Sequence, residues 1–333
     1  MAKTKDLPQV SIVVPFFNEQ ENIGELYGSL KRVLDGLKVS YELIFIDDGS
    51  QDQTYPTLVG LFDRDENVRI IKLRKNFGQT AALQAGFDYA RGEIIISMDG
   101  DLQHDPEDIP AMLEKMKEGY DIVSGWRKRR VDNFFLRKLP SLLANRMMRK
   151  LSGVQIHDFG TTFKAYKKDV IKSVRLYGEL HRFIPALISR EGVKITEIPI
   201  KNIVRKKGKS NYGLSRVRRV LFDLMTVKFI ISFIDRPLQF FGVIGLVFGS
   251  IGFLIALALV LGFYLFGWPI KENLGNLIFS VFMMILGIQF IMTGLLGEII
   301  SRIYFTTHEI KIYSVEEAKF HSPPGPDGHP LGA

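Results

Sequence analysis

Residues 237–270 read PLQFFGVIGLVFGSIGFLIALALVLGFYLFGWPI, 34 residues without a charge. Residues 273–297, NLGNLIFSVFMMILGIQFIMTGLLG, add 25 more. A spanning helix needs about 20 apolar residues to cross a hydrocarbon core of about 30 Å. Each stretch is long enough, and only Lys271 and Glu272 separate them. They predict a helical hairpin within 236–304, with spans at about 238–266 and 274–300. Residues 1–213 read as a water-soluble α/β domain. A soluble domain joined to a hairpin points to work on something dissolved in lipid.

The charges agree with this division. Net charge is +8, but residues 127–150 carry nine Lys/Arg against the single acid Asp132, and 201–219 carry eight against none. The remainder is therefore net acidic. Such basic runs suit anionic lipid headgroups or phosphates, and beside a hairpin they favour these over nucleic acid, which is not expected as a partner. Leu136, Leu139, Leu143 and Met147 recur at helical spacing in the basic segment 132–150, continued by Leu151, and 214–235 repeats the pattern. Both read as amphipathic helices, able to lie in the membrane interface or to face a core. Lys and Arg crowd the flank before the first span, while the intervening loop has only Lys271. The positive-inside rule then puts the soluble domain and both termini in the cytoplasm. Glu298 precedes Arg302 by four residues, the spacing of a helical ion pair at the interface. No cysteine occurs, which fits a reducing compartment, and MAKTKDLPQV lacks the apolar core of a signal peptide. The tail 305–333 reads as cytoplasmic, its Pro/Gly-rich end from Ser322 as disordered.

Within the soluble part, strand-like runs at Val10–Pro15, Tyr41–Ile46, Val68–Leu73, Glu93–Met98 and Asp121–Ser124 alternate with helical patterns. That alternation predicts a mostly parallel sheet covered by helices, with ligands at the carboxyl ends of the strands. Three strand ends carry polar clusters. Asp99-Gly100-Asp101 places two carboxylates on a sharp turn, an oxygen site for Mg²⁺ or Mn²⁺, and Gln103 can add an amide oxygen. Asp47-Asp48-Gly49-Ser50 reads either as a helix-capping turn or as a nucleoside contact, and Asn18 either as a helix cap or as part of the same site.

The segments PFFNEQENI, IDDGSQD, RKNFGQTAAL, MDGDLQHDPEDI and GKSNYG, in this order, resemble the family-2 glycosyltransferases of GT-A fold. More narrowly they resemble the polyprenyl-phosphate glycosyltransferases, the dolichol-phosphate mannose synthases and their bacterial undecaprenyl-phosphate relatives. The resemblance covers about residues 8–305. It implies that Asp99, Asp101 and Gln103 serve the metal and diphosphate, and that Pro15, Asn18, Glu19, Asp47 and Asp48 form the nucleoside pocket. It gives Arg127, Arg137 and Ser141 to the phosphate of the lipid acceptor, Arg205 and Ser210 to a loop over the donor diphosphate, and Asp158 to the transferred sugar. Asn211 stands where many relatives have lysine, with Lys207 and Lys209 nearby to supply the charge. Thr162-Phe163-Lys164 departs conservatively from the relatives' pattern.

The implied reaction is inverting, metal-dependent transfer from a nucleotide-sugar to a polyprenyl phosphate at the cytoplasmic membrane face. UDP is the first carrier to expect and GDP the second, and some relatives assemble as homotetramers. The competing readings are a membrane polysaccharide synthase, against which the absent Q-x-x-R-W segment argues, and a non-catalytic lipid- or nucleotide-binding module. A dinucleotide oxidoreductase is excluded, because PFFNEQ stands where G-x-G-x-x-G is required.

Overall fold

The computed structural model describes residues 7–128, 139–176, 178, 180–189, 192–201, 203, 237–269, 271–306 and 311–321. They fall into two compact units, one within Met1–Val227 together with Lys311–Ala333, the other within Lys228–Ile310.

The first unit is built on one sheet. Strands β1 (Val10–Phe16) and β2 (Tyr41–Asp47) are almost wholly buried apolar runs, as central parallel strands covered on both faces must be. Helix α1 (Ile23–Leu37) joins them, burying Ile23, Leu26, Leu30 and Leu34 along one stripe and ending at Lys38 in the left-handed conformation. The next elements are α2 (Thr54–Phe62), β3 (Val68–Leu73), α3 (Gln79–Tyr89), β4 (Ile94–Ser97), α4 (Ile109–Lys117) and β5 (Ile122–Trp126). Then come α5 (Leu139–Ser152), β6 (Lys164–Lys167), α6 (Lys168–Lys172), α7 (Ile184–Ile188) and β7 (Ile195–Pro199). The sheet order is β7-β5-β6-β4-β1-β2-β3-β8. β6 runs antiparallel between β4 and β5, so the loop before it arrives at the same sheet end as the loops that leave β4 and β5.

The eighth strand comes from beyond the hairpin. β8 (Val315–Lys319) pairs antiparallel with β3, from Leu73↔Val315 to Ile70↔Lys319. Lys72 meets Glu316 at 3.0 Å, Tyr55 hydrogen-bonds Glu317, and the Tyr313 hydroxyl donates to Asp88 at 2.8 Å. Phe320 lies under the Arg69 guanidinium, and His321 stacks on Phe62. Val-Glu-Glu-Ala-Lys carries too much charge to read as a strand, yet alternating charges are what an edge strand tolerates. Within the segment 305–333, read from the sequence as a cytoplasmic tail, residues 311–321 pack as part of the first unit. Residues from 322 onward lie outside the described ones.

The second unit is an antiparallel helical hairpin, α8 (Pro237–Phe266) and α9 (Leu274–Thr306). At 30 residues α8 is about 45 Å long, enough for the hydrocarbon core with a turn to spare at each end. The helices touch through small residues. A Cβ on Gly245 would lie 2.6 Å from the Gly287 carbonyl oxygen, and one on Gly287 would lie 2.7 Å from that of Gly245. Gly252 against Ser280 and Gly294 against Leu238 repeat the contact at steps of seven residues on both helices. This is the close backbone approach that small residues allow in an apolar solvent. Large apolar side chains such as Leu246, Leu254, Ile278 and Ile288 point outward.

Of the expected amphipathic helices, 214–235 lies outside the described residues, and so does 132–138. Helix α5 covers the rest of the first. In it Met147, on the apolar side read from the sequence, is exposed, and Met148 is buried. The helix turns that side toward α7 and the loop before β6, where Asn145 Oδ1 accepts the Phe159 N–H at 3.3 Å and Ser189 Oγ donates to the Ser152 carbonyl at 3.4 Å. The side chain of Arg302, the expected partner of Glu298, is also outside the described residues.

Candidate active site

The polar clusters meet at one end of the sheet. Asp48 N–H donates to the Phe16 carbonyl at 2.9 Å, joining the ends of β1 and β2. Asn18 has φ 54°, a left-handed conformation that asparagine tolerates. Its N–H donates to Ser50 Oγ at 3.0 Å, and its Oδ1 accepts the Gln51 N–H at 2.8 Å. The Glu19 N–H donates to Thr54 Oγ1 at 3.0 Å. Asn18 and Glu19 therefore clamp the loop after β1 to the loop after β2, so Asn18 is no simple helix cap. Pro15 sits within β1, opposite Ile46.

Asp47 and Asp48 are both buried. Asp47 Oδ1 accepts the Ser50 N–H at 3.2 Å, while its Oδ2 is buried without a hydrogen-bond partner. Asp48 accepts the N–H groups of Phe77 and Gly78 at 2.8 and 2.9 Å. Burial raises the pKa of both carboxyls, and the backbone donors oppose it. Gly78 caps α3, whose first residue, Gln79, donates its side-chain amide to Asp99. A chain of contacts thus runs from the end of β2 through the start of α3 to the end of β4.

Asp99, Gly100 and Asp101 follow β4 on a turn that includes Leu102 at φ 62°. A Cβ at position 100 would lie 2.6 Å from the Phe16 ring and 3.1 Å from the Pro15 carbonyl oxygen, so glycine lets the turn press against β1. Asp101 accepts the Gln103 backbone N–H at 3.2 Å and its side-chain amide at 2.6 Å. That leaves the Gln103 amide oxygen for another partner. Among the described residues no three His, Asp or Glu side chains cluster as a metal cage. What stands there is a pair of carboxylates with an amide oxygen, the oxygen donor set that Mg²⁺ completes with substrate phosphates and water, and these residues fit it.

The other side of the site is ionic. Arg127, just past β5, makes a two-pronged contact with Asp158, Nε to Oδ2 at 2.8 Å and an Nη to Oδ1 at 3.1 Å. Desolvation raises the Asp99 pKa, opposed among others by Arg127, Lys164 and Arg182. His104 is buried, its Nε2 3.4 Å from Thr161 Oγ1 and its Nδ1 4.0 Å from Asp99 Oδ2. Burial drives its pKa down to about 4, which keeps the ring neutral. His181, paired with Thr80 Oγ1 at 2.7 Å, is likewise held well below 6.5 by burial.

Asp47, Asp48, Asp99, Asp101, Gln103, Arg127 and Asp158 therefore lie along one sheet end, with Pro15, Asn18 and Glu19 shaping its floor. Arg137, Arg205 and Ser210 fall outside the described residues, as do Lys207, Lys209, Asn211 and the side chain of Ser141. Sequence reasoning gave no role to Gln79, His104, Lys164 or His181. The first three stand inside segments already singled out for resemblance, which is the signal that reaches them.

The model of the family described as "Glycosyl transferase family 2" matches residues 11–175. A dodecaprenyl-phosphate galacturonate synthase of Rhizobium johnstonii is 40% identical over 93% of this chain and 92% of its own length. An undecaprenyl-phosphate 4-deoxy-4-formamido-L-arabinose transferase of Shewanella sediminis is 34% identical over 95% and 94%. Among solved structures, a glucosyl-3-phosphoglycerate synthase from Mycobacterium tuberculosis with Mn²⁺, uridine diphosphate and glucosyl-3-phosphoglycerate superposes with a TM-score of 0.52. It is 18% identical, over 67% of this chain and 79% of its own, a likeness of fold.

Proposed function

The chain belongs to glycosyl transferase family 2, as a polyprenyl-phosphate glycosyltransferase that transfers a sugar to polyprenyl phosphate, and from this premise we propose a donor, a stereochemical course and a set of residue roles. The donor is a UDP-sugar, with GDP as the second carrier. Galacturonate and 4-deoxy-4-formamido-L-arabinose, the sugars named for the relatives, head the candidates. The observation that carries the reading is the meeting of the Asp99–Asp101 turn with the Arg127–Asp158 pair at one sheet end. Such a site holds a donor diphosphate and an acceptor phosphate side by side.

In this reading Pro15, Asn18, Glu19, Asp47 and Asp48 receive the nucleoside, and the buried Asp47 Oδ2, without a hydrogen-bond partner in the chain, is an acceptor available to it. Asp99, Asp101 and Gln103 would hold Mg²⁺ or Mn²⁺, which when bound would supply positive charge against that developing on the leaving diphosphate. Arg205 and Ser210 close over that diphosphate, and Arg127, Arg137 and Ser141 bind the acceptor's phosphate. A phosphate monoester has its second pKa near 6, so the attacking oxygen is already anionic at pH 7 and needs no strong base. Asp158 accordingly orients Arg127 and a sugar hydroxyl instead of removing a proton. The phosphate oxygen forms its bond to the anomeric carbon as the bond to the nucleoside diphosphate breaks. In-line displacement inverts that carbon, giving a β-linked product from an α-linked donor.

Two long apolar C-terminal helices suggest membrane association. Because β8 follows the hairpin and pairs with β3, the chain on both flanks of the hairpin belongs to one folded unit. That supports two full crossings with both flanks on one side, and the basic flanks make that side the cytoplasm. We place the transferase domain at 1–213, an interfacial helix at 214–235 and the hairpin at 236–304, with the segment 305–333 returning to the domain to supply its eighth strand. The test is nucleoside diphosphate release by the full chain in detergent with Mn²⁺ or Mg²⁺, undecaprenyl phosphate and a panel of UDP- and GDP-sugars. Release that requires one donor and the lipid is the expected result. Folded protein that releases nothing with any donor refutes the reading.

A further inference from the structure

Lys164 is a lysine where burial is costly. It opens β6, in the middle of the sheet, and its side chain is completely buried. Its Nζ donates to the carbonyl of Phe159 at 3.2 Å and to the carbonyl of Thr161. Both carbonyls belong to the loop that carries Asp158. Ser97 Oγ, at the end of β4, donates to the Thr162 carbonyl of the same loop. His104 Nε2 meets its Thr161 side chain, and the His104 ring stacks on Phe163. Burial pulls the amine down to about 7, with the negative charges of Asp158 and Asp99 working against it and Arg127 and Arg182 adding to it.

An apolar side chain of similar volume would fill this space with less desolvation cost, so packing alone does not account for a buried ammonium group. What the amine does that methionine cannot do is hold the loop by two of its carbonyls, those of Phe159 and Thr161. We propose that Lys164 is a positioning residue for sugar transfer, tying residues 158–163 so that Asp158 keeps Arg127 beside Asp99. Completely buried, it acts through the loop and not on the substrates themselves. A displacement of about 1 Å in such a group costs on the order of a hundredfold in rate.

This rests on the transferase reading above, so the test has one arm that reads activity and one that does not. In the first, Lys164→Met and Lys164→Arg are compared with wild type, using the UDP-sugar that wild type turns over and undecaprenyl phosphate. Lys164→Met is expected to lose about a hundredfold in kcat, with its melting temperature and donor KM near wild type, while Lys164→Arg recovers most of the rate. Wild-type kcat in Lys164→Met, or a loss confined to donor KM, overturns the proposal. If Lys164→Met shows no melting transition, Ser97→Ala takes its place, with a roughly tenfold smaller kcat expected and an unchanged one overturning the proposal.

The second arm uses Trp126, which stacks on His157 at 4.4 Å, one residue before Asp158. In a Trp268→Phe background Trp126 is the single tryptophan. Its emission is expected to shift in Lys164→Met, or in Ser97→Ala, and to return in Lys164→Arg. Absence of activity in wild type with this shift present removes the transferase reading and leaves Lys164 holding the loop. An unshifted emission overturns the proposal whatever the activity.

Discussion

The two sides of the candidate site hold their carboxylates by different means. On the β1–β2 side the partners are backbone N–H groups, from Ser50 to Asp47 and from Phe77 and Gly78 to Asp48. On the β5–β6 side a guanidinium 31 residues away in sequence, Arg127, forks onto Asp158, beside a single backbone N–H from Gly160 at 3.1 Å. Backbone donors are fixed by the fold and cannot leave, which suits a pocket that must keep one shape. A fork of charge-assisted hydrogen bonds is strong, yet an incoming phosphate offers the same guanidinium an equivalent partner. In the proposed reading the first side binds the donor, and the second exchanges partners as an anion arrives.

Four experiments bear on this contrast. The Asp99–Asp101 turn lies between the two sides, and its loss should be the most severe. Asp101→Ala is expected to lower turnover by about a thousandfold at an unchanged melting temperature. A residual rate within tenfold of wild type would remove the shared centre on which the comparison depends. Next, Arg127→Ala should cost about a hundredfold in kcat/KM for the lipid acceptor, and Arg127→Lys should recover little, because lysine has no planar fork. Full recovery by lysine would mean that charge alone suffices on that side.

On the backbone-held side the effect should be on binding and stability instead of turnover. Asp48→Ala leaves the Phe77 and Gly78 N–H groups without an acceptor and is expected to cost about 1–3 kcal/mol in denaturant unfolding, with donor KM raised and kcat little changed. A collapse of kcat at constant donor KM would erase the distinction between the sides.

The smallest effect concerns α3, which serves both. Thr80 follows Gln79 and pairs with His181, whose folded pKa lies well below its unfolded value near 6.5. The neutral ring is favoured in the fold. Stability is therefore full above about pH 6.5 and falls as pH drops toward the folded pKa, by up to about 1.4 kcal/mol per pH unit for one proton. His181→Gln should flatten part of that acid limb, leaving what His104 contributes. An unchanged limb in a pH series of melts would count against a neutral buried His181.

What was legible in the sequence follows the same division. The five strands from β1 to β5, the Asp47–Asp48 and Asp99–Asp101 ends and the hairpin announce themselves locally, through apolar runs that stop at polar turns. The Arg127–Asp158 pair, the Gln79 contact and the Lys164 tie are long-range meetings that periodicity does not encode. Resemblance gave Arg127 and Asp158 separate roles, and only the geometry joins them. Strand β6, Lys-Ala-Tyr-Lys, is four residues long and runs straight into α6, and β8 is charged along its length. Both are strands because a neighbour supplies the partner, not because their residues prefer extended backbone.

Strand β8 also sets a clock on assembly. Lys72 and Glu316 are 244 residues apart, so β3 waits for its outer partner through most of the synthesis of the 333-residue chain. At roughly 5–20 residues per second that interval is on the order of 10–50 seconds. Throughout it β3 presents an open edge, and the last strand reaches the ribosome's exit only after both apolar helices have been made. The sheet is therefore finished last of all, by a segment that can come home only when the hairpin before it has turned back.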